Sequence, residues 1–180
     1  MIKNIGKVSK AFVGCLFLFF FLSPHHVHPQ GWSDSKIRSL SDSCFALTEV
    51  DKDGKKVRHL PYRDIDGTID IDQLIYCLGS FGDEAWLDPE KKEIARRNLE
   101  EHYYRLRLNQ TKEGMKAPIN INKAPLKDLV RLPNIGPVTA VKIYKFRQIH
   151  GPFQRVEDIK KVEGIGPATF AGIRYYIKVR

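Results

Sequence analysis

The last third of this chain contains one segment twice. Residues 128–143 run Asp-Leu-Val-Arg-Leu-Pro-Asn-Ile-Gly-Pro-Val-Thr-Ala-Val-Lys-Ile, and residues 158–173 run Asp-Ile-Lys-Lys-Val-Glu-Gly-Ile-Gly-Pro-Ala-Thr-Phe-Ala-Gly-Ile. At an offset of 30, six of the sixteen positions are identical. The identities include Ile135-Gly136-Pro137 with Ile165-Gly166-Pro167, and Thr139 with Thr169. A duplication at fixed period denotes one supersecondary unit used twice. Any fold of this chain must therefore set two copies of one local structure next to each other in sequence.

Each copy reads the same way physically. Leu126, Leu129 and Leu132, and then Val156, Ile159 and Val162, recur at helical spacing before a glycine-containing turn. Pro137 and Pro167 then open a second amphipathic helix at its first position. Asn134 and Gly164 lead the turns, and both residue types tolerate the positive φ of a tight turn. Gly136 and Gly166 close them, and Ile135 and Ile165 are expected to plug the hairpins into the core. This is a helix-hairpin-helix pattern. Successive N–H groups ahead of a helix N-terminus form a concave site that takes a phosphate and reads no base. The expected phosphate contacts are Asn134, Ile135, Gly136, Val138 and the Thr139 hydroxyl in the first copy. In the second they are Gly164, Ile165, Gly166, Ala168 and Thr169.

The charge distribution follows the repeat. Residues 117–180 hold 12 Lys+Arg against 4 Asp+Glu, a net of +8, whereas residues 31–116 have a net of −2. A localised basic surface is the electrostatic footprint of phosphate binding. Lys142 and Lys145 are three apart and share a helix face. Lys160 and Lys161 precede the second hairpin and Arg174 follows it, with Arg147, Lys178 and Arg180 as further candidates. Gly172 stands where the first copy has Lys142, so the two halves are not expected to bind equally. Tyr144, Phe146, Phe153, Phe170, Tyr175 and Tyr176 have the spacing of a buried stripe and read as core.

Several segments fall in a characteristic order. Asn120-Ile121-Asn122-Lys123-Ala124, the first hairpin, Phe146-Arg147, Gly151-Pro152-Phe153, Glu157-Asp158-Ile159 and the second hairpin resemble the tandem helix-hairpin-helix domain of ComEA-type competence DNA receptors. The resemblance covers residues 119–180. It implies a four- or five-helix domain that binds double-stranded DNA outside the cytoplasmic membrane through hairpin amides and nearby basic side chains. It also implies a protein that is not an enzyme, takes no cofactor and serves inner-membrane DNA-uptake machinery. The sequence departs from the pattern at Asn134, usually glycine, and at Pro125 and Arg155, often a capping serine. Each lost cap costs about 1 kcal/mol of helix stability. Two other readings stay open: a protein-docking module without DNA binding, and a secreted nuclease with a catalytic middle region.

Lys3, Lys7 and Lys10 precede an unbroken apolar run, residues 11–22. That is short of the about 20 residues that span a bilayer and has the pattern of a secretory signal. No clean cleavage site follows, so residues 1–30 read as a signal peptide or an N-terminal membrane anchor. Either way the globular part is expected to be exported, to a periplasm or cell surface, touching membrane only through this segment. The cluster His25-His26-Val27-His28 lies within it, and no metal is expected. Of the three cysteines, Cys15 falls in the apolar run. Cys44 and Cys77 remain, and the even count in an oxidising compartment favours a disulfide over two buried thiols.

The chain as a whole reads as mainly α, with a small α+β region over residues 31–110 and a polar linker over 111–118. Strands Phe45–Val50 and residues 55–60 flank Asp51-Lys52-Asp53-Gly54, a strong hairpin signal. Asp70 is expected to cap a helix over residues 71–78 ended by Gly79, and Asp88-Pro89 to open a longer one reaching about Leu106. The run from Asp64 to Asp70 resembles the centre of a calcium loop. Tyr62 and Gln73 would then occupy its first and twelfth ligand positions, where acids are needed, so it reads as a turn and a cap. Asp64, Asp66, Asp70 and Asp72 as a magnesium site lack any accompanying His or Lys. Whether this region folds alone or against the repeat stays open.

Overall fold

The computed structural model describes residues 32–110 and 117–180. The apolar segment with Cys15, the histidine cluster and linker residues 111–116 lie outside the described residues. The protein is mainly α with one small antiparallel hairpin, as the sequence implies. Among the described residues no helix is long and apolar enough to cross a membrane.

A short helix α1 (Asp34–Ser39) leads into strands β1 (Phe45–Val50) and β2 (Lys56–Pro61), which pair with Leu47 opposite His59. Their turn is built by Asp51, whose side chain accepts the amides of Asp53 and Lys55, each at 2.9 Å. Gly54 takes the positive φ of 78° that this turn requires. Helix α2 (Ile71–Gly79) starts where Asp70 Oδ1 accepts the Gln73 amide at 2.9 Å, while Oδ2 accepts the Trp32 indole N–H at 2.8 Å. Helix α3 (Pro89–Gln110) is entered through Glu49, whose carboxylate accepts the Leu87 and Asp88 amides, each at 3.0 Å. Glu49 is buried and also lies 2.8 Å from His59 Nε2, while His59 Nδ1 lies 2.8 Å from Glu84 Oε1. The imidazole stacks on Trp86 at 4.4 Å. One polar knot thus joins the hairpin to the start of α3.

The repeat contributes β3 (Ile119–Asn120), α4 (Leu126–Leu129), α5 (Pro137–His150), α6 (Pro167–Ile173) and β4 (Ile177–Lys178). The first limb of each hairpin is shorter than its apolar spacing suggests. α4 is one turn, and Val156–Lys161 is a 3-10 segment closed by bonds such as Val162 N–H to Ile159 O at 3.0 Å. Helix nucleation fixes several residues for one bond, so limbs this short tighten rather than extend. β3 and β4 pair in parallel, with Ile119 beside Ile177. Asn122 reinforces that closure: its amide group donates to Phe153 O at 2.9 Å and Val179 O at 3.1 Å.

Helix α2 sits at the centre. Leu74, Ile75, Tyr76 and Cys77 are buried, and the core runs from them through Leu60, Leu99 and Tyr103 on one side and Leu129, Val141 and Ile143 on the other. Close approach makes a glycine necessary at its end: a Cβ on Gly79 would lie 2.4 Å from Val141 Cγ2 and 2.6 Å from Pro137 O. The middle region therefore rests on the first hairpin. Trp32, Leu40, Cys44 and Phe45 form a separate small cluster under α1.

Two expectations are corrected. Cys44 and Cys77 are free, buried thiols, not a disulfide. They belong to different clusters, and each donates to a carbonyl, Cys44 to Asp64 O at 3.3 Å and Cys77 to Pro61 O at 3.1 Å. Burial pushes the Cys77 thiol well up, which keeps it protonated. Tyr175 and Tyr176 are not core, being 70% and 43% exposed. α6 ends at Ile173, so both fall beyond its buried stripe.

Candidate nucleic-acid interface

The two hairpin tips have matching local structures. Asn134 (φ 60°) and Gly164 (φ 89°) turn the chain through the left-handed region. Asn tolerates this conformation better than other side chains, so it holds the turn in place of glycine. The next residue in each copy points inward: Ile135 and Ile165 are buried, and their amides donate to Leu132 O at 3.2 Å and Val162 O at 3.1 Å. Gly136 (φ −92°, ψ −179°) and Gly166 (φ −79°, ψ 178°) are extended N-caps, each followed by proline at the first helical position. Their carbonyls accept from Ala140 and Phe170, both at 2.9 Å.

These tips leave donors facing outward. The amides of Asn134, Gly136, Val138 and Thr139 have no acceptor among the described residues, and neither do those of Gly164, Gly166, Ala168 and Thr169. A Cβ added at Gly136 or Gly166 would meet nothing within 4 Å. Neither backbone angle nor internal crowding demands glycine there. The tips are neighbours, since Thr139 Oγ1 lies 4.0 Å from a Cβ built on Gly164.

The basic residues expected around them are present, but most are already paired. Lys142 Nζ lies 3.0 Å from Glu163 Oε1, bridging the two hairpins. Lys145 Nζ lies 3.1 Å from Asp83 of the middle region. Lys161 lies 3.0 Å from Asp158, whose carboxyl is lowered first by that bond and then by the Arg155 amide. Lys160 and Arg174 sit over the rings of Phe170 and Tyr175 at 5.2 and 4.3 Å. Exposed pairs of this kind are weak, about 0–1 kcal/mol, and yield readily to a stronger anion. Arg147 is different: it is half-buried, donates to Ile121 O at 2.8 Å, and burial lowers its pKa. It belongs to the scaffold rather than to the exposed basic face.

Sequence reasoning missed the acidic partners. Asp72, Asp83 and Glu163 face Lys127, Lys145 and Lys142, and nothing in their local sequence marks them. Asp72 also replaces the missing cap at Pro125, because its Oδ1 accepts the Lys127 amide at 2.8 Å. The other departure is compensated within the segment: Asp158 Oδ2 accepts the Arg155 amide at 2.9 Å.

Residues 115–178 match the helix-hairpin-helix motif. ComE operon protein 1 of Bacillus subtilis (strain 168) is 41% identical over 71 residues, 39% of this chain and 35% of that protein. The C-terminal region carries a helix-hairpin-helix motif and is similar over it to this ComE operon protein. Endonuclease/exonuclease/phosphatase family domain-containing protein 1 of Rattus norvegicus is 31% identical over 144 residues, 78% of this chain and 24% of that protein. That alignment is longer than the ComEA-type motif and takes in much of the middle region. Kinesin-like protein KIF22 of Rattus norvegicus is 44% identical over 45 residues, 25% of this chain and 7% of that protein. The chain thus spans about a third of the first relative and a quarter or less of the others.

Proposed function

We propose that this protein binds duplex DNA without regard to sequence, gripping one phosphate with each hairpin tip across the minor groove. The observation that carries the reading is the pair of adjacent, matching tips whose outward amides are unclaimed and whose glycines leave open space. Backbone amides in a nest bind phosphate oxygens, and Thr139 and Thr169 supply hydroxyls in the first turns behind them. Lys142, Lys145, Lys160, Lys161 and Arg174 would exchange their internal partners for phosphates, adding counterion release. The resemblance of the C-terminal region to ComE operon protein 1 supports the same reading and extends it to DNA uptake by an exported, non-enzymatic receptor.

A second reading takes its support from the relative named for an endonuclease/exonuclease/phosphatase domain: a nuclease that uses the hairpins to hold its substrate. The middle-region carboxylates argue against it. Asp64 holds Lys36 at 2.8 Å, Asp66 holds Thr68, and Asp70 holds Trp32 and Gln73. Incubation with plasmid and divalent cations separates the readings, since only a nuclease nicks it.

The test of the leading reading is Gly136→Val with Gly166→Val. Both positions have ordinary φ and open surroundings, so the fold is expected to persist while the added side chains block the tips. Unchanged DNA affinity in the folded double variant would contradict the tip contacts.

A further inference from the structure

A strip of surface beyond α6 carries exposed rings that the core does not use. Helix α6 ends at Ile173, and residues 174–180 follow with three basic side chains, two tyrosines and no acid. Tyr175 and Tyr176 are 70% and 43% exposed. Single exposed rings need no explanation, but these have organised surroundings.

The rings come with cations. Arg174 stands 4.3 Å from the centroid of Tyr175, and Lys160 stands 5.2 Å from that of Phe170. Arg174 caps α6 in helical conformation one turn after Phe170, so the two cation–ring pairs succeed each other along one face. Past the helix, strand alternation continues the same chemistry. Ile177 is buried and Val179 packs on the core, whereas Tyr176, Lys178 and Arg180 alternate with them and are exposed.

These cations are also uncompensated. Lys142, Lys145 and Lys161 each meet a carboxylate, but Lys160, Arg174, Lys178 and Arg180 have no carboxylate partner among the described residues. The strip therefore joins open positive charge to accessible ring faces. Duplex DNA answers only the charge, because its base faces are hidden in the stack. A single strand offers phosphates and base faces together.

We infer that this strip binds single-stranded DNA, with bases stacked on Tyr175 and Tyr176 and phosphates on Arg174, Lys178 and Arg180. Every base has a π-face, so the contact reads no sequence. Lys160 and Arg174 are shared with the proposed duplex contact, but the tyrosines are not, so the two readings fail separately.

The experiment titrates the full chain against labelled oligo(dT) and against a duplex of equal length, by fluorescence anisotropy at low salt. The single strand is expected to bind saturably. Tyr175→Ala with Tyr176→Ala weakens that binding about tenfold or more and leaves duplex affinity unchanged. Tyr175→Phe with Tyr176→Phe retains it, because the ring faces remain. Circular dichroism checks the fold, and Tyr175→Ala alone, at the more exposed position, serves should the double variant fail to fold. Absence of duplex binding leaves the inference standing when the single strand still binds through the tyrosines. No saturable binding of oligo(dT), or binding that the folded alanine variants leave unchanged, overturns it. Equal loss of single-strand and duplex binding overturns it as well, by making the strip part of the duplex contact.

Discussion

Asp72 Oδ1 accepts the backbone amide of Lys127 at 2.8 Å, joining residues 55 apart in sequence. The bond caps α4, the first limb of the first hairpin, whose own N-cap is Pro125 and makes no side-chain bond. A carboxylate from the middle region thus completes a helix of the repeat, and the two regions share a core. Asp72→Ala is expected to destabilise the protein by about 1 kcal/mol, the usual worth of an N-cap, and Asp72→Asn by less, since its amide oxygen still accepts. Urea unfolding of the three proteins checks the order.

The pH dependence of Asp72 and Asp158 runs in opposite directions. Burial, the larger effect, raises the Asp72 carboxyl above its ordinary value despite the Lys127 amide. The folded state then binds that proton more tightly, so the contribution of Asp72 to stability falls as pH rises through its folded pKa. Asp158 is lowered, first by Lys161, so its contribution is present above the unfolded value near 3.8 and is lost as pH falls through the folded one. Stability measured from pH 3 to 7 is expected to fall less with rising pH in Asp72→Asn than in the parent, and to rise less in Asp158→Asn.

Gly79 makes the docking of α2 on α5 sterically possible. An alanine there meets both Val141 Cγ2 at 2.4 Å and the Pro137 carbonyl at 2.6 Å, and the backbone oxygen cannot swing aside. Gly79→Ala is expected to cost about 1–3 kcal/mol through overpacking, read as a lowered midpoint in thermal unfolding.

The Glu49–His59–Glu84 knot gives a larger effect. Glu49 and His59 are each 1% exposed, so removing the imidazole leaves a buried carboxylate with only the Leu87 and Asp88 amides beside a cavity. His59→Ala is expected to cost about 3–5 kcal/mol, checked by chemical denaturation.

Much of this architecture is legible from short-range chemistry. The Asp51–Gly54 turn, the Asp70 cap and the duplicated hairpins are each written within a few residues, where φ preferences and capping bonds act. What stays hidden is tertiary. Nothing near Asp72 announces a helix 55 residues on, and the parallel β3–β4 pair is too short to leave a periodic pattern. Lys142 and Lys145 read as free charges until the fold brings Glu163 and Asp83 to them. Cys44 and Cys77 looked like a pair because parity and compartment say nothing of distance. Tyr175 and Tyr176 followed the aromatic stripe only until α6 ended early.

Neutralising Lys142 and Lys145 is expected to weaken DNA binding without unfolding the protein, because both are held only by surface ion pairs. Lys142→Gln and Lys145→Gln should each reduce the magnitude of the salt slope by about 1 if each meets a phosphate. Fluorescence anisotropy with labelled duplex measures both slope and affinity, and circular dichroism confirms the fold.

The central claim is tested most directly by titrating the full chain with random-sequence duplex DNA across a series of salt concentrations. The account predicts binding at low salt that is similar for unrelated sequences, with the logarithm of affinity falling linearly against the logarithm of salt. Absence of binding at low salt, or affinity that ignores salt, would contradict it.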